Sequence, residues 1–319
     1  MKTSLRSILL VLVSLLAALA LAQDRTFVTI ATGGTGGVYY VYGGGLANLL
    51  GQWIPGVEAT AEATAASVDN VKLVEAGRAE LAFSLSDTAA DAYNGSGSFT
   101  APVPVRAVAV LYNNYTHIVA LEGSGIETVA DLAGKRVSTG AAGSGTEVIA
   151  LRVLEAAGLS EADITQDRLG ASESAAALKD RRIDAFFWSG GLPTAAVLDL
   201  ANSPGTTLKL VGSGELVEPL QASYGPQYQS AELPAGTYNN AEPVTVVAVA
   251  NVLLTSAEAD PELIYQITMN MIENREQLAA IHPEAAKLSL ESAVAGSPIP
   301  FHAGAARYYE EQGQTVATE

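Results

Sequence analysis

The chain has 319 residues, no cysteine, and 34 acidic against 17 basic side chains, for a net charge of −17. A surface this acidic argues against nucleic acid or anionic membrane as a partner, since both need basic surface. With no cysteine, disulfides and thiol chemistry are excluded, and the length suits one large or two medium domains.

Residues 1–22 have the form of an export signal. Lys2 and Arg6 supply a positive start, residues 8–21 are almost wholly apolar, and Ala20-Leu21-Ala22 gives an A-x-A cleavage pattern. The apolar run, about 14 residues long, is short of the ~20 needed to span a bilayer; a retained anchor is the alternative. Cleavage after Ala22 leaves a mature chain of about 297 residues whose net charge falls to −19 once Lys2 and Arg6 are gone. The expected location is periplasmic or otherwise extracytoplasmic.

Beyond the leader, residues 27–32 alternate and are rich in β-formers, a predicted strand that runs into a glycine loop. A helix is predicted over 38–50, a strand over 57–64, a helix over 68–76, a buried strand over 80–86 and a further helix from Asp87. The pattern resumes with strands at 136–140, 184–190 and 208–213 and helices at 146–157, 175–181 and 194–200. Strands alternating with helices of this length predict an α/β fold with a mostly parallel sheet, here in two similar blocks.

Two segments between the blocks stay extended and apolar for longer. Residues 105–121 do so over 17 residues, ~55 Å at ~3.3 Å per residue, and residues 244–256 over 13. A usual strand has about 5–6 residues. Two strands crossing between lobes explain them most simply; the alternative is two hairpins turning at Asn113-Asn114 and at Asn251. The expected division is 23–113 plus 250–319 as lobe 1 and 114–249 as lobe 2. Residues 261–281 and 304–312 are predicted helices packing on lobe 1, with Asp260-Pro261 opening the first.

The glycine-rich stretch ATGGTGGVYYVYGGGLANLL, residues 31–50, is not a nucleotide loop. Gly34-Thr35-Gly36 begins a dinucleotide fingerprint, but Tyr39 stands where the third glycine belongs, and no glycine run is followed by Lys and Ser or Thr. Glycines between a strand end and a helix start let the backbone approach a ligand, and the N–H groups of the first helical turn favour an anion. Thr35 adds a hydroxyl there, and Tyr39 a flat face with a polar tip; a plain strand-to-helix turn is the competing reading. GAAGSGTEVIALRVL, residues 140–154, repeats the design in the second block, with Ser144 and Glu147 in S-x-x-E capping spacing. Ligands of open α/β sheets bind beyond the carboxyl ends of the strands, where these loops fall. SLSD (84–87) and FWSGG (187–191) end strands in the same way, and Trp188 is placed either to cover a ligand or to pack in the core.

Enzymatic chemistry has little support. His117, His282 and His302 are scattered and stand in no metal-ligand spacing, and no G-x-S-x-G elbow occurs. Asp87 and Glu147 have no nucleophile to pair with and suit helix capping or contact with a ligand ammonium. No cofactor and no metal are expected.

The stretch at 31–50 resembles the N-terminal signature of the TAXI family of TRAP-associated extracytoplasmic solute receptors. GAAGSGTE (140–147), LPAGTY (233–238) and PIPFHAGAARYYEEQG (298–313) resemble its later blocks, in the expected order over nearly the whole mature chain. The resemblance implies a periplasmic-binding-protein type II fold: two α/β lobes, two linking strands and a ligand between them. It implies a receptor that delivers a glutamate- or glutamine-like solute or another organic acid to TRAP membrane subunits; a monomer is expected. Carried over by position, it points to Thr35, Gly36 and Tyr39 in the first loop and Ser144, Gly145, Thr146 and Glu147 in the second, with Ser86, Asp87, Tyr112 and Trp188 around them. Arg136, Arg152, Arg181 and Arg182 are near the second lobe but outside the glycine loops, so carboxylate binding is expected to rest on backbone N–H and hydroxyl groups. An envelope enzyme and a ligand-sensing module on the same scaffold are the alternatives.

Overall fold

The structure is a computed structural model describing residues 25–318; the expected leader and its cleavage site lie outside the described residues. The β-branched run Thr26–Ala31 forms β1, which pairs in parallel with β2 (Val57–Glu62) on one side and β3 (Leu81–Leu85) on the other. Between β1 and β2, α1 (Val38–Trp53) buries Val38, Tyr39, Tyr42, Leu46 and Leu50, the three-and-four spacing that puts one face of a helix on a sheet. α2 (Ser67–Glu75) and α3 (Ser86–Asn94) follow β2 and β3.

β4 (Val105–Leu121) and β10 (Val244–Ser256) are each unbroken, and they pair antiparallel with one another. Each changes its outer partner part-way. β10 pairs with β3 through residues 251–254 and with β9 (Tyr228–Leu233) through residues 244–249. β4 pairs with β7 (Ala185–Gly190) only from Tyr115 onward. The hairpin alternative is therefore wrong. Asn251 sits instead at a register shift between the two long strands, where its Nδ2 donates to Tyr112 O (2.9 Å) and Asn114 Oδ1 (2.8 Å). An asparagine that reads as a turn signal here satisfies the polar groups that a shifted ladder leaves over.

Beyond the crossover come β5 (Arg136–Ser138), α4 (Gly145–Ala156), β6 (Thr165–Asp167), α5 (Ala171–Lys179), α6 (Ala195–Ala201), β8 (Leu208–Leu210) and α7 (Val217–Tyr224). The sheet order is β2-β1-β3-β10-β4-β7-β5-β6, with β8 joined to β4 and β9 to β10. The C-terminal part returns to the first lobe as α8 (Pro261–Glu273), α9 (Arg275–Ala279), α10 (Leu290–Val294) and α11 (Ala303–Glu311). Ile264, Ile267 and Met271 of α8 share one core with β1, α1 and β3. Two further cores cover the two faces of the second lobe's sheet, one around Ile149, Val153 and Phe187, the other around Leu178, Phe186 and Val197. The architecture is the periplasmic-binding-protein type II fold: two α/β lobes, two long crossing strands and a cleft between them.

Two expectations need correction. The helix expected over 261–281 breaks at Asn274, whose Nδ2 turns back to Asn270 O (3.1 Å). The helix expected over 175–181 begins at Ala171, four residues earlier. The strands β6 and β9 and helix α7, short and largely polar, have no counterpart among the predicted elements.

Candidate functional site

β1 ends at Ala31, and the Oγ1 of the next residue, Thr32, donates to Glu62 O (2.6 Å) and so ties the ends of β1 and β2. Asn70, fully buried on α2, donates to Thr32 O (2.7 Å) and Phe83 O (2.8 Å), bringing the end of β3 into the same knot. The loop leaving this frame turns tightly, Gly37 N donating to Gly34 O (3.0 Å), and becomes α1. In the second lobe, β5 ends in a loop that becomes α4 in the same manner, Ser144 N donating to Ala141 O (3.0 Å).

Both loops line one cavity, with residues 33–39 on one side and Ala141 and residues 144–146 on the other. Two further helix starts join them: Ala65-Ala66-Ser67 opening α2, and Gly170-Ala171 opening α5. Four helices of 9 to 16 residues therefore present their N-terminal turns to the same space. At α1, α2 and α5 no side chain caps the turn, which leaves first-turn N–H groups for a ligand, except that Asp69 N of α2 donates to Gly143 O (3.1 Å) of the second lobe. Among the described residues no Lys or Arg lines the cavity, and the one carboxylate that does is Glu173, exposed at the rim.

The cavity has about 100 Å³ of free space, where a single water needs about 10–15 Å³. That is room for a compact solute. Two buried hydroxyls on the wall, Tyr112 Oη and Ser189 Oγ, have no hydrogen-bond partner. Buried polar groups are ordinarily satisfied; Tyr42 Oη and Thr116 Oγ1, which do not line the cavity, are left unpaired in the same way.

Of the expected residues, the cavity wall contains Thr35, Gly36, Tyr39, Tyr112, Ser144, Gly145, Thr146 and Trp188. The Tyr39 hydroxyl is already bonded to Asn251, and its ring lies 5.0 Å from that of Phe83, so Tyr39 offers the edge of a ring rather than a donor. Ser144 Oγ accepts from Glu147 N (3.0 Å), but the reciprocal bond of a capping box is displaced by one residue: Glu147 accepts from Gly143 N (2.9 Å) and pairs with Arg168 (2.7 Å).

Ser86, Asp87 and Glu147 do not line the cavity. Asp87 is buried and accepts from Thr88 N (2.7 Å), Tyr228 Oη (2.7 Å) and Arg152 (3.4 Å). Burial pushes its carboxyl pKa up, while Arg152 and those two hydrogen bonds pull the other way. Arg152 also pairs with Asp91 (2.5 Å) and lies over the Tyr224 ring (4.4 Å). The arginine is thus consumed by an ion network behind the cavity, which sequence spacing alone does not show.

Trp188 is held from beneath by a directional chain. His117 Nδ1 faces Tyr115 O (2.8 Å) and Trp188 O (3.1 Å) and therefore carries the proton. Its Nε2 then accepts from Tyr238 Oη (3.0 Å), which accepts from Thr194 N (2.8 Å). Thr194 Oγ1 accepts from the Trp188 indole (2.9 Å) and donates to Gly191 O (2.8 Å). Burial lowers the His117 pKa to about 4, which keeps the ring neutral, as the chain requires. Tyr238 belongs to the LPAGTY block, whose place in the site is this support.

Sequence reasoning missed Ser67, Ser172, Glu173, Ser189 and Asn114, all on the wall. The start of α2 follows the same strand, small residues, helix order as the two glycine loops, but uses alanines. Ala66 there has φ 87° and ψ −147°, a region that is essentially glycine's own and costs about 1–3 kcal/mol for other residues.

The fold is shared with solved proteins at low identity. A protein from Bordetella bronchiseptica RB50 is 18% identical, with 93% of this chain and 84% of that one covered and a TM-score of 0.55. A mutant of ArgBP from T. maritima is 12% identical, with 80% and 93% covered and a TM-score of 0.51. The alkanesulfonate-binding protein SsuA from Xanthomonas axonopodis pv. citri, bound to MOPS, is 19% identical over 91% of each chain at a TM-score of 0.48. The sequence matches the NMT1-like family over residues 30–313, and with nearly all of its described length inside that match, the chain belongs to the NMT1-like family.

Proposed function

We propose that this protein is an extracytoplasmic solute-binding receptor that closes its two lobes on a small organic anion or amino acid. The observation that carries the reading is the convergence of four helix N-termini, two from each lobe, on one cavity without a lysine or arginine in its wall. Each helix end contributes about 0.3–1 kcal/mol toward an anion, and up to ~2 when partly buried. Micromolar affinity needs ~8 kcal/mol, so lobe closure and further hydrogen bonds from the wall supply much of the rest. A ligand touching both lobes favours the closed form by its differential affinity. No acid–base pair lines the cavity among the described residues, which favours capture over turnover.

The finer reading is that of a TAXI receptor delivering its solute to TRAP membrane subunits. It rests on the four blocks that resemble that family, two of which, 31–50 and 140–147, contribute to the cavity wall. Should the ligand carry an ammonium group, Glu173 is the carboxylate in position to meet it, since Asp87 and Glu147 are engaged elsewhere. A thermal-shift screen of dicarboxylates and amino acids, followed by calorimetry, tests the receptor reading: a hit that binds one to one supports it, and turnover of a screened solute would move the protein to the enzymes. Uptake in proteoliposomes with the membrane subunits separates the transport classes. Dependence on an ion gradient supports TRAP, whereas dependence on ATP hydrolysis assigns an ABC system.

A further inference from the structure

A contact between the lobes lies outside the cavity and needs no ligand. Glu284, in the segment between α9 and α10, packs with the first lobe, where its neighbour Ala285 joins the core. Its carboxylate is 1% exposed, and Oε1 accepts from the backbone N–H of Leu192 (2.6 Å), in the second-lobe loop that links β7 to α6. The other oxygen is paired with Lys287 (2.6 Å), which is half exposed and lies over the Tyr115 ring. Gly191, beside Leu192, fits against the carboxylate stem: a Cβ there would stand 2.6 Å from Glu284 Cγ and 2.9 Å from Tyr112 Cε2.

We infer that Glu284 is a positioning residue for solute capture: its bond to Leu192 N–H latches the lobes and sets how often the cavity is assembled before any solute arrives. The inference rests on the lobe closure proposed above. The chemistry suits a reversible catch. When the lobes part, Leu192 N–H can turn to water, and Glu284 keeps its Lys287 partner, so its own charge is not left unpaired. When they meet, a hydrogen bond to an ionised acceptor forms away from water, the stronger kind. The same loop supports the cavity at its other end, since Gly190 is on the wall and Gly191 O accepts from Thr194. Closing the latch thus brings Trp188 and Tyr112 to their places without touching the solute.

The natural absence of cysteine makes the test direct. Gln52→Cys and Asp180→Cys place spin labels on exposed positions of opposite lobes, and the distance distribution is read without ligand. Glu284→Ala should lower the ratio of closed to open molecules at least tenfold, and Glu284→Gln, which keeps an acceptor oxygen but no charge, by less. Gly191→Ala, which pries at the same contact from the other lobe, should open the protein as well and serves if the Glu284 variants fold poorly. A closed-to-open ratio unchanged in the variants that fold overturns the latch. If a solute found by thermal shift still closes such a variant, the receptor reading stands while the latch falls. A distribution that no binding solute moves, in the parent or the variants, overturns both.

Discussion

Gly145 at the start of α4 lies directly against Ser67 at the start of α2: a Cβ on Gly145 would fall 2.6 Å from Ser67 Oγ and 2.6 Å from Leu85 Cδ1. Two helix N-termini from different lobes thus meet with only a hydrogen atom between them. Gly145 is not in a left-handed conformation, so its requirement is closeness rather than backbone freedom. Gly145→Val should leave the lobes folded but unable to close. Affinity for the solute found by screening should fall at least a hundredfold, about 2.7 kcal/mol, with a melting temperature of the ligand-free protein within a few degrees of the parent. Calorimetry and a thermal melt on the same preparation check both parts.

Tyr238 offers a test of the support beneath Trp188. Tyr238→Phe leaves His117 Nε2 without a donor and Thr194 N–H without an acceptor, both buried. Each orphaned group costs about 1–3 kcal/mol, so a loss of ~2–4 kcal/mol in unfolding free energy is expected. The specific signature is in Trp188: its fluorescence response to the bound solute should shrink in the variant, which simple destabilisation of the native state would not cause. Urea unfolding and fluorescence titration provide the two readouts.

Acid should weaken the fold through its histidines. Burial lowers the pKa of His117 to about 4 and lowers those of His282 and His302 as well. A histidine whose folded value lies below its unfolded one takes up its proton more readily in the unfolded chain. Stability is therefore intact above pH ~6.5, falls as the pH drops, and stops falling on this account below the folded value. At ~1.4 kcal/mol per unit, His117 alone accounts for on the order of 3 kcal/mol between pH 7 and pH 4. Urea midpoints across that range should decline, and His117→Gln should flatten the decline.

Ala66 predicts a gain. Its positive φ stores strain at the start of α2, and Ala66→Gly removes it at the cost of a more flexible unfolded chain. The expected net effect is a rise of about 1 kcal/mol in unfolding free energy. A loss of stability on chemical denaturation would contradict the strain.

Much of the scaffold is legible in the chain itself. The alternation of strands and helices, the length of β4 and β10, and the strand-glycine-helix order at 31–50 and 140–154 are local patterns, and local patterns survive into the fold. Asp87, Glu147 and Asn251 show where such reading stops. Each has a residue type that suits a ligand, a cap or a turn, and the choice among these depends on groups far away in sequence: Arg152 and Tyr228 for Asp87, Arg168 for Glu147, Tyr39 and Asn114 for Asn251. The start of α5 was hidden for a different reason. Ala171 to Ser174 lack an apolar stripe, so the periodic signal begins only at Ala175, and the cavity-lining residues just before it escape notice.

The most direct test of the central claim is a crystal structure of the mature protein with the solute identified by screening. The account predicts density for one solute molecule between residues 33–37 and residues 144–146, with its anionic group within hydrogen-bond distance of backbone N–H from both lobes. A solute bound with full affinity that contacts one lobe alone, or that sits away from these turns, would contradict it.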